Sequence, residues 1–332
     1  HIQVMAKTGK ALTGVKKHLK IDKVENNRTV EVKITPKEEK SNFAKKLFAG
    51  EKVTTIEMTP PRSVVLDDVM EKVKECKKAG IDAINIPDGP RASSRISSLV
   101  TALMIEKETG IETILHYCCR DRNLIGMQSD ILGGYAAGLK NYLIVTGDPP
   151  KLGDYPKATA VFDIDAVGLT KLVHNLNNGA DIAGNIINPP TSILIGVGAN
   201  PCAVDTDKEA EHLYNKYNAG AEYVITQPVF APEALLSFME KAEKLGVKLP
   251  VVAGIWPLVS LKNALFLKNE VPVVYVPDSV ISKMEKAKTK EDGLKIGAEI
   301  AQEIKQKIEP YVQGYQISAP FGRVDVALEV LK

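Results

Sequence analysis

Val53-Thr54-Thr55-Ile56-Glu57-Met58-Thr59-Pro60-Pro61-Arg62 is the stretch on which the reading of the fold turns. Its first half is short and β-branched, as buried strands are. Pro60-Pro61 cannot donate ladder hydrogen bonds and must end it. Glu57 therefore stands near the C-terminal end of a strand. An unpaired buried carboxylate costs several kcal/mol, so Glu57 is either half of an ion pair or a group placed for chemistry, and the stretch alone leaves both open.

From Phe43 onward the chain repeats one grammar, an apolar β-rich run followed by an amphipathic helical segment. Strands are expected at 53–58, 82–87, 112–118, 141–146, 192–198, 222–227 and 250–255, with helices between them such as 66–79, 166–176, 207–218 and 232–245. Ala79-Gly80, Ala219-Gly220 and Leu245-Gly246 read as helix C-caps. Consecutive β-α units imply parallel strands, since each crossover returns the chain in the same direction. For the eighth strand, Pro272 weakens the segment 271–277, and Gly314-Tyr315-Gln316-Ile317-Ser318-Ala319 is preferred. The expected fold is a (β/α)8 TIM barrel, with 271–277 an extended loop segment and a last helix over 324–331. A doubly wound sheet is the alternative; against it, no strand is followed by G-x-G-x-x-G, and Gly133-Gly134-Tyr135-Ala136-Ala137-Gly138 lies inside a helical stretch, where glycine permits close packing.

Residues 1–41 have a different texture, rich in Lys and without partner periodicity, and read as a linker or arm ahead of a barrel domain over 42–332. A helix-like stretch runs over 5–18, and the abrupt start suggests an upstream piece. Forty-three Lys plus Arg against 41 Asp plus Glu give a net charge of +2, which supplies no general field for nucleic acid or membrane. Cys76, Cys118, Cys119 and Cys202 show no C-x-x-C pairing and fit buried thiols of a reducing compartment. No apolar run reaches the roughly 18 residues needed to span a bilayer, so a cytoplasmic enzyme or binding protein is the default.

In a barrel, sites collect at the C-terminal ends of the strands. The polar residues there are Glu57, Asp88, His116, Asp148, Asn200, Gln227 and the single tryptophan, Trp256, with Arg323 further on. Each has a plain structural reading too: His116 as a hydrogen-bonded core histidine, Asp88 and Asp148 as turn residues, Trp256 as a cover for the mouth. No Cys/His cluster or i, i+4 His pair supports a metal, and no G-x-S-x-G elbow supports a serine triad. Two carboxylates, an amide and a histidine suit an organic cofactor and proton transfer.

Ile56-Glu57-Met58-Thr59-Pro60-Pro61-Arg62 resembles the first strand of methylenetetrahydrofolate reductases. Thr146-Gly147-Asp148-Pro149-Pro150, Ala219-Gly220-Ala221 with Ile225-Thr226-Gln227, and Gly254-Ile255-Trp256-Pro257 resemble three later motifs of that family, in the same order over about 43–330. The resemblance implies a flavin-binding barrel that reduces 5,10-methylenetetrahydrofolate to 5-methyltetrahydrofolate, with NADH or NADPH reducing FAD first in a ping-pong sequence, within one-carbon metabolism and methionine biosynthesis. By the same resemblance Glu57 is the general acid, Asp148 anchors the pterin beside the flavin, and Gln227, Asn263, Leu267 and Arg323 contact substrate. His116, Lys216 and Ala221 fall at cofactor positions. Three departures stand out: the segment 85–90 lacks the family's T-Y-G-A pattern, Thr146 replaces a frequent Arg, and Leu267 occupies the place of a folate-stacking Phe. Residues 177–185 and Gly198-Ala199-Asn200-Pro201 look like the subgroup fused behind a homocysteine S-methyltransferase domain, which makes such an upstream domain the expected covalent partner. A folate- or flavin-binding accessory subunit without its own turnover is the alternative reading.

Overall fold

The computed structural model describes residues 19–22, 32–271 and 273–332. Eight parallel strands follow one another around a closed barrel: β1 (Val53–Glu57), β2 (Ala83–Ile86), β3 (Glu112–Cys118), β4 (Asn141–Val145), β5 (Leu194–Ala199), β6 (Tyr223–Pro228), β7 (Val251–Ile255) and β8 (Gly314–Ser318). β8 pairs back onto β1, matching Val53 with Gly314 and Glu57 with Ser318. A short helix, α1 (Asn42–Phe48), precedes β1. The crossovers carry α2 (Asp67–Lys78), α3 (Ser98–Thr109), α4 (Leu124–Ala136), α5 (Ala166–Asn177), α6 (Thr206–Ala219) and α7 (Pro232–Lys244). Between β7 and β8 lie α8 (Leu261–Glu270), α9 (Asp278–Met284) and α10 (Lys290–Ile308), and α11 (Val324–Glu329) ends the chain. This is the (β/α)8 TIM barrel, and its closure rules out the doubly wound sheet.

Two cores show which way each side chain points. Val53, Ala83, Ile114, Tyr223 and Val252 pack together inside the barrel with Phe43 and Leu47 of α1, whereas Ile56, Ile84, Leu115 and Ile317 belong to the larger core between strands and helices. Successive side chains of a strand face opposite ways. Thr55 and Glu57 on β1, Asn85 on β2, His116 on β3, Gly198 on β5, Gln227 on β6, Gly254 on β7 and Gln316 on β8 therefore face inward. Apolar residues fill the N-terminal half of the interior, and polar residues and glycines occupy the C-terminal half.

α1 forms the floor. Ser41 caps it by accepting from the Ala44 amide at 2.9 Å, and the Glu112 carboxylate accepts from the amides of Asn42 and Phe43 at 2.8 and 2.9 Å, fixing the helix N-terminus beneath β3. Its Phe43 ring meets Tyr223 edge-on with centroids 5.7 Å apart. Tyr223 in turn needs Gly196: a Cβ there would stand 2.4 Å from the ring. Gly134 in α4 likewise lets the Tyr142 hydroxyl approach where a Cβ would be 2.3 Å away, the close helix packing expected for that glycine-rich stretch.

Residues 271–277 add no strand to the barrel, as expected; Tyr275 is exposed and Val276 buried, while Pro272 lies outside the described residues. The helix-like stretch 5–18 also lies outside them. The described portions of the arm pack on the barrel. Ile21 joins the outer core, and the Leu19 amide donates to the Asp163 carbonyl at 2.6 Å. Lys40 is buried, its ammonium donating to the Ile193 carbonyl at 2.9 Å and to both Glu222 carboxylate oxygens at 2.7 and 2.8 Å.

Candidate active site

Glu57 ends β1 at the mouth. The residue is half-buried, and among the described residues no side chain pairs with it. Desolvation pushes its carboxyl up to about 7, so a substantial fraction keeps its proton at neutral pH. Of the two readings open from sequence, the ion pair is absent.

Beside it runs a polar chain. The Thr55 hydroxyl donates to the Tyr315 carbonyl at 3.5 Å, Asn85 Nδ2 donates to Thr55 Oγ1 at 2.7 Å, and Asn85 Oδ1 lies 3.0 Å from His116 Nε2. Thr55 and Asn85 are fully buried. Burial lowers the His116 pKa to about 4, against a smaller opposing pull from Asp88, so the imidazole is neutral. Gln316 adds a donor to the same interior: the residue is 5% exposed and its Nε2 has no partner among the described residues. A buried orphaned donor commonly awaits a ligand or water. Space for a ligand is built in at Gly198, where a Cβ would meet nothing within 4 Å.

The loops of the mouth are tied by charge. Asp88 accepts from Arg122 at 2.9 Å, from the Cys118 amide at 3.2 Å and from the Ser98 hydroxyl at 2.9 Å, so it is a structural tie. Arg120, buried, grips Asp121 with two nitrogens at 2.7 Å and reaches the carbonyls of Gly89 and Asp148. Asp148 is exposed, and its Oδ2 accepts from the Arg91 amide at 3.1 Å. That bond holds an uncommon turn, with Arg91 and Ala92 both left-handed at φ 58° and 49°, a conformation costing non-glycine residues about 1 kcal/mol or more each. Gly153 makes room for it, since a Cβ there would lie 2.3 Å from the Ala92 carbonyl oxygen. The Arg91 guanidinium sits 5.9 Å from the Phe266 ring centroid.

The sequence-based site residues divide accordingly. Glu57, His116 and Gln227 share the inner face at the C-terminal end, with Gln227 exposed, and Asp148 stands on the loop after β4. Lys216, on α6, is buried and donates to the Gly198 carbonyl at 2.8 Å; desolvation lowers its pKa, and two ammonium protons remain for another acceptor. Asn263 is buried near the start of α8, accepting weakly from the Val259 amide at 3.4 Å. Leu267 is 2% exposed and belongs to the outer core, while its neighbour Phe266 is 41% exposed and faces Arg91. Arg323 is ion-paired with Asp325. Ala221 lies in the turn before β6, at the end of the barrel opposite Glu57. Thr55, Gln316 and Arg91 were not singled out by sequence; the only signal for Thr55 and Gln316 was a polar residue within an apolar strand, and for Arg91 there was none.

This constellation can be set beside known proteins. Residues 42–315 match the sequence profile of the family described as methylenetetrahydrofolate reductase. The chain is 25% identical over 263 residues to a probable methylenetetrahydrofolate reductase (NADH) of Oryza sativa subsp. japonica, an alignment covering 77% of this chain and 44% of the relative. It is 22% identical over 210 residues to the 5,10-methylenetetrahydrofolate reductase of Pectobacterium carotovorum, covering 63% and 65%. The chain thus spans less than half the length of the rice relative. A solved protein from Clostridium thermocellum, described as binding two copies of 5-methyl-5,6,7,8-tetrahydrofolic acid, superposes with a TM-score of 0.61 at 17% identity, over 87% of this chain and 99% of that one, a likeness of fold. With the profile running from the floor helix into the closing strand and taking in the Glu57 end of the barrel, the chain belongs to the methylenetetrahydrofolate reductase family.

Proposed function

We propose that this barrel reduces 5,10-methylenetetrahydrofolate to 5-methyltetrahydrofolate, using FAD as a bound cofactor and NADH or NADPH as reductant. The observation that carries the reading is Glu57, an inward-facing strand-end carboxyl without a charge partner, raised by desolvation to about 7. Opening the methylene bridge requires a proton at the departing ring nitrogen, and a carboxyl that is still protonated near neutral pH can give it. Once the bond opens, the folate carbon becomes an iminium able to accept hydride.

The residues present suit a flavin. Open space at Gly198, the orphaned Gln316 donor and the two spare ammonium protons of Lys216 offer, respectively, room, a hydrogen bond and a partner for phosphate oxygens. When bound, FAD supplies the two-electron carrier between nicotinamide and folate. Asp148 orients the pterin and puts negative charge near the carrier, which favours hydride donation over retention. Gln227, exposed at the mouth, offers an amide to whichever substrate is bound, and Asn263 and Arg323 belong to the folate side of the mouth, where the exposed Phe266 ring takes the place expected for Leu267, which is buried in the outer core. His116 and Lys216 act toward the flavin, with Ala221 as a distant support of α6. An upstream homocysteine methyltransferase domain would consume the methyl group made here.

Spectroscopy of the purified chain tests the proposal. The expected result is a yellow protein that releases FAD on denaturation, bleaches with NADH or NADPH in stopped flow, and is reoxidised by methylenetetrahydrofolate. A chain that binds folate but takes up no flavin on reconstitution overturns it.

A further inference from the structure

The hydrogen bonds crossing β8, β1, β2 and β3 run in one direction only. A backbone carbonyl can only accept, so the long 3.5 Å contact to Tyr315 takes the Thr55 hydroxyl proton, and Oγ1 accepts from Asn85 Nδ2 at 2.7 Å. The amide is thereby oriented with Oδ1 toward His116, and an amide oxygen can only accept. The proton between them must therefore lie on Nε2 of the imidazole. In a neutral ring the other nitrogen then carries a lone pair, and Nδ1 of His116 has no protein partner among the described residues.

We propose that Asn85 is a positioning residue, which fixes His116 as the Nε2–H tautomer and so makes Nδ1 an acceptor for a lactam N–H of the heterocycle bound in the barrel. Flavin and reduced pterin rings both carry such an N–H, so the shared chemistry is a fused-ring lactam. The inference rests on the proposed reductase reading only for the ligand; the tautomer belongs to the protein alone. Thr55 acts at one remove, since without its oxygen the Asn85 amide can turn over and present Nδ2 to the histidine. Both residues are fully buried, which keeps water from replacing either partner.

The test is ¹⁵N NMR of the His116 ring in the ligand-free protein at neutral pH, followed by separate titrations with FAD and with 5-methyltetrahydrofolate. The wild type is expected to show protonated Nε2 and unprotonated Nδ1. Asn85→Leu and the near-isosteric Thr55→Val are expected to mix the tautomers. Asn85→Asp, which keeps an acceptor toward Nε2, is expected to preserve the wild-type pattern. In the titrations Asn85→Leu should weaken one of the two ligands by roughly tenfold, identifying which ring uses Nδ1, with Asn85→Asp restoring most of the loss. A wild-type ring protonated on Nδ1, or a tautomer unmoved in both Leu and Val variants, overturns the positioning role. Equal affinities for both ligands in wild type and Asn85→Leu overturn the acceptor role while leaving the reductase reading intact.

Discussion

Glu57 is held in a protonation state that the folded chain disfavours losing. Its folded value of about 7 exceeds the ordinary 4.5, so the carboxyl favours the native state fully at low pH, and that contribution fades as pH rises from about 4.5 through 7. Glu57→Gln removes the ionisation penalty. It should raise stability above neutral pH, by an upper limit of about 3 kcal/mol, and leave it nearly unchanged in acid, as denaturant melts at two pH values would register. The same variant should lose folate reduction by about a hundredfold or more while flavin reduction by NAD(P)H survives; equal loss of both half-reactions contradicts the acid role. Wild-type folate reduction should fall as pH rises through about 7. Asp148→Asn should weaken folate binding and raise the flavin potential, read by dye-coupled titration, because a negative charge near the ring is removed. Glu57 was legible because a carboxylate at a Pro-terminated strand end is unusual in any chain. Asn85 and Gln316 were less so, since one polar residue in an apolar run reads equally as a packing compromise. The Phe266 and Leu267 outcome follows from helix geometry: adjacent positions point about 100° apart, so only one of them can face the mouth.

At the scale of elements, strand positions were legible to within a residue or two because buried parallel strands are short apolar runs between turn signals. The choice of 314–319 over 271–277 rested on one proline, and β8 at Gly314–Ser318 agrees with it. The arm was harder to read. Nothing in Pro36-Lys37-Glu38-Glu39-Lys40 marks its last lysine as different from its neighbours, yet that lysine is 5% exposed and locked to Glu222. The reason is tertiary: Glu222 begins the approach to β6, far away in sequence. Desolvation lowers the Lys40 pKa, and the Glu222 charge opposes that. Removing residues 1–31 is a different operation from removing 1–41. Lys40→Ala should cost about 3 kcal/mol by leaving a buried carboxylate uncompensated, and Lys40→Ala with Glu222→Ala should recover part of it in a double-mutant cycle. A single-mutant loss below about 0.5 kcal/mol would show the pair to be solvated.

Across the whole molecule, an apolar floor and a polar mouth divide the labour along the barrel axis. Phe43→Ala, at the floor, should lower unfolding free energy by about 3 kcal/mol and leave kcat/KM of the folded fraction unchanged, measured below the melting transition. A large fall in kcat/KM would mean the floor shapes the mouth. Barrel closure itself has a consequence in time. The last staple joins residues that are among the furthest apart in the chain: the Val53 amide donates to the Gln313 carbonyl at 3.1 Å, Gln313 Nε2 to the Glu51 carbonyl at 2.8 Å, and Lys52 to the Glu309 carbonyl at 2.5 Å. During synthesis β1 must wait, with one edge unpaired, until β8 has left the ribosome. At about 5–20 residues per second that exposure lasts tens of seconds, and a nascent chain stalled before Gly314 would offer the edge of β1 to chaperones or to a neighbouring nascent chain.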